Sequence, residues 1–144
     1  MSPTSALRVP ASAKVMRWRR VFPGNAVHAR RAREFVRVLL DDTPVGADAV
    51  QVAAELVANA ASHSASRLPG GLMIVELCRW QRGAALAVTD QGDPPGTSEP
   101  CITISADEPF TEHGRGLRIV DDLCASWGVR GGPAGRTVIA IFDW

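Results

Sequence analysis

Lysine is nearly absent from this 144-residue chain: Lys14 stands alone beside fifteen arginines, a skew that with abundant alanine points to a GC-rich genome and to no particular chemistry. Long hydrophobic runs are missing as well. The longest near-apolar stretch, around Val52 to Ala61, spans about ten residues and carries Glu55 and Asn59, well short of the roughly 20 that a bilayer requires. A membrane span is therefore excluded. Met1 to Pro10 lacks the apolar core of a signal peptide, so the expected location is cytoplasmic. Cysteine is scarce and odd in number. Cys78, Cys101 and Cys124 match neither zinc-site nor C-x-x-C spacing, which predicts reduced, mostly buried thiols. No internal repeat is evident.

What is present fits one globular domain. At 15.4 kDa, with 46% hydrophobic and 22% charged residues, the chain can bury a core of its own but not two. Periodic runs of Val, Ile, Leu and Ala argue against disorder throughout. The net charge of +1 conceals a split. Residues 1–40 hold nine basic groups against Glu34 alone, and residues 41–144 hold seven basic and fourteen acidic groups, so +8 is followed by −7. Such a split admits a basic arm for nucleic acid, a face for an acidic partner, or a solvated surface. Neither a helix-turn-helix pattern nor a basic strip interleaved with aromatics is present, so no direct nucleic-acid contact is expected.

Residues 1–12 mix Pro, Ser and Thr without period and read as a flexible tail ahead of a domain covering residues 13–144. Val15 to Val21 alternates Met16 and Trp18 with Arg17 and Arg19, which predicts a strand ending at Phe22-Pro23-Gly24. Asn25 is placed to cap a helix to Leu40, with Ala32, Phe35, Val36 and Leu39 on its apolar side and Arg30, Arg31, Arg33 and Arg37 on the rest. A second helix is predicted from about Val45 to His63, gathering Asp48, Gln51, Glu55, Asn59, Ser62 and His63 into a polar stripe. Leu72 to Arg79 and Ala84 to Thr89 form a predicted hairpin. A loop without helical pattern follows to His113, of a length typical of functional lids. Gly114-Arg115-Gly116 opens a helix carrying Leu117, Val120, Leu123, Cys124 and Trp127 inward and ending at Gly128, and a last strand pair closes the domain. The order predicts an α+β fold: a two-layer sandwich of a mixed, mostly antiparallel sheet with about three helices on one face.

Three places can carry chemistry. Glu55 and Asn59 are i,i+4 neighbours on one helix, one able to take a proton and the other to offer an amide oxygen to a cation. Asp90 ends an apolar strand and precedes Gln91-Gly92, where a carboxylate can accept from an exocyclic amine and glycine lets backbone approach a flat ring. Gly114 to Leu117 open a helix whose N–H groups and dipole favour a phosphate, with Arg115 adding charge. The GK[ST] ending of a P-loop is absent, and so is GxGxxG. Taken singly, each has a plain alternative: a solvated stripe, a turn-forming Asp, or a lid hinge.

The order of these features resembles the N box and the two glycine boxes of the histidine-kinase-like (GHKL) ATPase family. Glu55-Leu-Val-Ala-Asn59-Ala, Gly114-Arg-Gly-Leu-Arg-Ile-Val-Asp121 and Trp127-Gly-Val look closest to its single-domain anti-sigma factor serine/threonine kinases. The resemblance implies a Bergerat-type ATP-binding fold, with ATP and Mg²⁺ as cofactors. It implies Glu55 as general base, Asn59 as the Mg²⁺ ligand, and Asp90 on the adenine amine with Thr137 in support, directly or through water. Gly92 would lie against the base. Gly114, Arg115, Gly116 and Leu117 would face the phosphates beneath a lid at about residues 91–113. It further implies a sigma factor and an anti-sigma antagonist as protein partners, phosphorylation of the antagonist on serine or threonine, and room for a homodimer. Two departures, Ser62 where relatives often carry a basic residue and Pro94-Pro95 inside the first glycine box, motivate an alternative: a catalytically degenerate interaction module of the same fold. With the proposed ATP contacts all after residue 54, Arg30, Arg31, Arg33 and Arg37 become the expected docking face for an acidic partner.

Overall fold

In the computed structural model the alternation after Val15 becomes strand β1 (Met16–Pro23), followed by a 3-10 turn (Ala26–His28), helix α1 (Ala29–Leu40) and helix α2 (Gly46–His63). Strands β2 (Leu72–Trp80) and β3 (Gly83–Thr89), helix α3 (Gly114–Leu123) and strands β4 (Ser126–Gly132) and β5 (Gly135–Asp143) complete the order. The structure describes residues 14–63, 66, 68–92, 114–132 and 134–144, with backbone only for His63 and residues 114–117. The expected tail, the expected lid beyond Gly92, Cys101 and the Pro94-Pro95 pair lie outside the described residues.

One five-stranded sheet runs in the order β1-β2-β3-β5-β4, and every neighbouring pair is antiparallel. The expected mixed sheet is thus antiparallel throughout. The two-residue turn Gln81-Arg82 joins β2 to β3 as a hairpin, and the chain between β3 and β5 runs through α3 and the edge strand β4. No parallel crossover arises, because β5 returns against β3 only after β4 has reversed the chain.

Period-two alternation sorts the sheet into two faces. Phe22, Met73, Val75, Leu77, Leu86, Val88, Ala140 and Phe142 are buried under the helices. Against them sit Ala32, Val36 and Leu40 of α1, Val120 of α3, and an Ala/Val-rich side of α2. Small residues on α2 suit its position, since it packs on α1, α3, β3 and β5 at once. The opposite sheet face carries a smaller cluster of Trp80, Ala85 and Ile141, with Val15, Cys78 and Ile139 packed on it. Cys78 and Cys124 are free, and Cys124 is buried. Burial, and then the Asp121 carboxylate, push the Cys124 thiol up to about 12, so it behaves as a core side chain.

Two local expectations are corrected. Asn25 makes no side-chain cap; its carbonyl accepts from the His28 N–H at 3.1 Å, and the 3-10 turn intervenes before α1. Helix α3 ends at Leu123, so Trp127 lies in β4 opposite Ala140. Its indole still turns inward and donates to Asp121 Oδ1 at 2.9 Å. Helical spacing and a short turn into a strand bury the same residues, and backbone pairing with β5 decides for the strand.

The end of α1 is tied to the sheet by Arg79, which donates to the Leu39 carbonyl at 3.0 Å and to both Asp42 oxygens at 2.8 and 2.9 Å. The bond from Arg79 holds the Asp42 carboxyl below the ordinary carboxylate range. A carboxyl lowered by folding stabilises the native state above its unfolded pKa and loses that contribution as pH falls through its folded value. The wild type is therefore expected to melt above Asp42→Asn near neutrality, and the gap is expected to narrow as pH falls below about 4. Melting curves from pH 7 to pH 3 check this, and a gap that does not narrow over the acid end would assign the difference to something other than the charge.

Candidate functional site

Helix α2 supplies the first half of the site. Glu55 and Asn59 are both half-buried, one turn apart on the same side. Glu55 forms no ion pair among the described residues, which leaves its carboxylate able to accept a proton. The Asn59 amide holds a buried Nδ2 with no hydrogen-bond partner among the described residues. A buried polar atom left unmet costs about 1–3 kcal/mol. Turned by 180°, the same amide presents its oxygen instead, so Asn59 fits the role of a cation ligand. Ser62, the third residue after Asn59, is exposed.

The second half hangs from the end of β3. Asp90 N–H donates to the Arg136 carbonyl at 2.8 Å, extending the β3–β5 ladder by one bond. Asp90 Oδ1 accepts from the Gly92 N–H at 2.7 Å and, more weakly, from the Arg136 N–H at 3.4 Å. One carboxylate oxygen is thereby spent on backbone, and Oδ2 has no partner among the described residues. Gly92 has φ +78°, a left-handed conformation that a side chain resists. The turn that presents Asp90 thus requires glycine at this position.

Helix α3 begins at Gly114 and packs against α2, the helix that carries Glu55 and Asn59, and the first N–H groups of a helix have no partner within it. Backbone from Gly114 to Leu117 is helical, as expected, and the side chain of Arg115 is outside the described residues.

Thr137 makes no direct hydrogen bond to Asp90 among the described residues. Its hydroxyl shares a 2.8 Å hydrogen bond with that of Thr89, its register partner, in phase with Ala85 and Ile139 on the sheet face away from the helices. The residue beside Asp90 is Arg136, 6% exposed, whose N–H donates weakly to the carboxylate and whose carbonyl accepts from the Asp90 backbone N–H. Gly135-Arg136-Thr137 enters the last strand, and the motif order assigns Arg136 no role of its own. The available signal was phase: Arg136 shares parity with Val138, Ala140 and Phe142, which makes it a charged residue on the inward side of a strand.

Comparisons with known proteins bear on the family and the fold. Residues 22–142 match the family model of the histidine kinase-like ATPase domain. Among solved structures, the RsbU and RsbW domains of Rv1364c from Mycobacterium tuberculosis superpose with a TM-score of 0.64 at 18% identity. That match covers 89% of this chain and 32% of the other, so the present chain spans about a third of that structure, and the likeness is one of fold. No match was found among the curated proteins compared. With the family match running from Phe22 at the end of β1 to Phe142 in β5, the chain belongs to the histidine kinase-like ATPase domain family.

Proposed function

We propose that this domain binds Mg-ATP, transfers its terminal phosphoryl group to a serine or threonine of an anti-sigma antagonist, and binds a sigma factor through a separate face. Asp90 carries the reading: one oxygen is fixed by backbone, and the other is left to accept from an exocyclic amine, as adenine offers. In this reading Gly92 keeps backbone close to the base, and the N–H groups opening α3 bind phosphate oxygens. Asn59 holds the metal by its amide oxygen. Bound Mg²⁺ supplies neutralisation of phosphate charge. Glu55 takes the proton of the attacking hydroxyl, and positioning provides most of the rest.

The partner face is narrower than the arginine pattern suggests. Arg37 is engaged by Glu34, through a bidentate pair, and by Asp41 at 3.9 Å. Arg20, Arg30 and Arg31 instead line, together with Glu34, a groove of about 480 Å³ between β1 and α1 whose apolar lining is Phe35, Val38 and Leu39. The Arg20 guanidinium lies over the rings of Phe22 and Phe35, at 5.2 and 5.9 Å. Three arginines beside apolar side chains, with Glu34 already paired to Arg37, fit an acidic segment with an apolar anchor. Exposed Ser62 favours one further reading, a domain that binds partners here while holding nucleotide weakly.

A thermal-shift and phosphotransfer experiment separates the two. Ligand at about 100 times its Kd adds about 2.7 kcal/mol, which for a domain of this size raises Tm by roughly 7–14 °C. The expected result is such a shift with Mg-ATP, a phosphorylated antagonist domain, and loss of partner capture in Arg31→Glu without loss of the shift. Partner capture with no shift at millimolar ATP would leave only the binding module.

A further inference from the structure

Ser66 is 1% exposed and lies in the connection between α2 and β2, 25 residues from the turn that follows Asp90. Its Oγ accepts a hydrogen bond from the Gln91 N–H at 2.9 Å. Gln91 uses its side-chain oxygen to accept from the Leu72 N–H at 3.0 Å. Gly24, just beyond β1, closes the junction. Its N–H donates to the Gly71 carbonyl at 3.0 Å, and a Cβ in its place would fall 2.0 Å from the Ser66 carbonyl oxygen. Ser66 and Leu72 therefore both hold the residue between Asp90 and Gly92, and Gly24 packs behind them.

The bonds around Asp90 itself come from its own turn and from β5. They fix its tilt relative to the sheet. Ser66 and Leu72 grip the same turn from the other side, and Ser66 stands three residues past the end of α2, the helix of Glu55 and Asn59. We infer that Ser66 and Gln91 are positioning residues for base recognition: the Ser66–Gln91–Leu72 clip holds the Asp90 turn against the α2 side, so that its carboxylate reads the exocyclic amine of a 6-aminopurine and rejects a 6-oxopurine. This rests on Asp90 being the base-binding carboxylate. A carboxylate oxygen facing a purine carbonyl pairs acceptor with acceptor, and a held turn cannot move away from that repulsion. A freed turn can. Loss of the clip therefore weakens discrimination, which a purely structural role would not single out.

The test is calorimetric titration of the whole chain, as wild type, Ser66→Ala and Gln91→Ala, with Mg-ATP and with Mg-inosine triphosphate. The two nucleotides share sugar and phosphates and differ at the 6-position, where one carries the amine and the other an oxygen. The wild type is expected to prefer ATP. Each variant is expected to lose about three- to tenfold in ATP affinity, the effect of one hydrogen bond, with inosine triphosphate affinity unchanged or raised and the preference contracted accordingly. Gln91 is exposed, so Gln91→Ala retains the fold even where Ser66→Ala does not. An undiminished preference, or equal losses for both nucleotides, in folded variants overturns the positioning role alone. A wild type with no preference for ATP overturns the Asp90 reading on which it rests.

Discussion

Asp90→Asn is expected to lower ATP affinity by about 10- to 100-fold, the range of a charge-assisted hydrogen bond lost at a partly buried site. The substitution keeps an oxygen at the Oδ1 position, so the Gly92 N–H, 2.7 Å away, and the Arg136 N–H still find an acceptor and the turn survives. What changes is the other position. There an NH₂ replaces the free oxygen and meets the exocyclic amine donor to donor. The same NH₂ can donate to a 6-oxygen, so inosine triphosphate should bind the variant better than the wild type, inverting the preference while Tm moves little. Titration of both nucleotides against both proteins checks this. Equal ATP affinity in the two would show that the base is read elsewhere.

The second large effect is on chemistry. Glu55→Ala should slow phosphoryl transfer by about 10²- to 10⁴-fold, the usual contribution of a positioned general base. ATP affinity should stay within about threefold, because removing a group that acts on the attacking hydroxyl lowers the rate and spares ground-state binding. Single-turnover transfer to an antagonist domain, alongside titration of ATP, separates the two quantities. A variant that transfers at the wild-type rate removes Glu55 from the base role. One that loses both rate and affinity assigns it to binding.

Much of this architecture is legible in the chain because periodicity is strong where burial is one-sided. The phase of Trp18 and Phe22, the hairpin at Gln81-Arg82 and the polar stripe of α2 all follow from which side of each element meets the core. Trp127 shows where that logic stops. A residue three or four positions past the inward side of a helix occupies nearly the same place whether the helix continues or the chain turns into a strand, and only pairing with Ala140 decides. Thr137 shows a second limit. Its neighbourhood to the Asp90 turn is one of strand register, whereas its hydroxyl follows the pleat to the far face and meets Thr89. Ser66 and Gln91 carried no local signal at all, since their partnership joins segments 25 residues apart through single hydrogen bonds. The arginine face was legible as charge. Which arginines remain available required seeing Arg37 spent on Glu34 and Asp41.

The place of β3 in the sheet has a dynamic consequence. Strands open most readily from a sheet edge, and here the edges are β1 and β4. Asp90 hangs from β3, which is laddered on one side to β2 and on the other to β5. Fraying of β1 from its Met16 end can therefore rearrange the Arg20 side of the groove, and so change what a partner meets, without global unfolding, while Asp90 stays in register as long as Gly24 keeps its seat on Gly71 and Ser66. The rim of this sheet can breathe while the Asp90 turn keeps its aim.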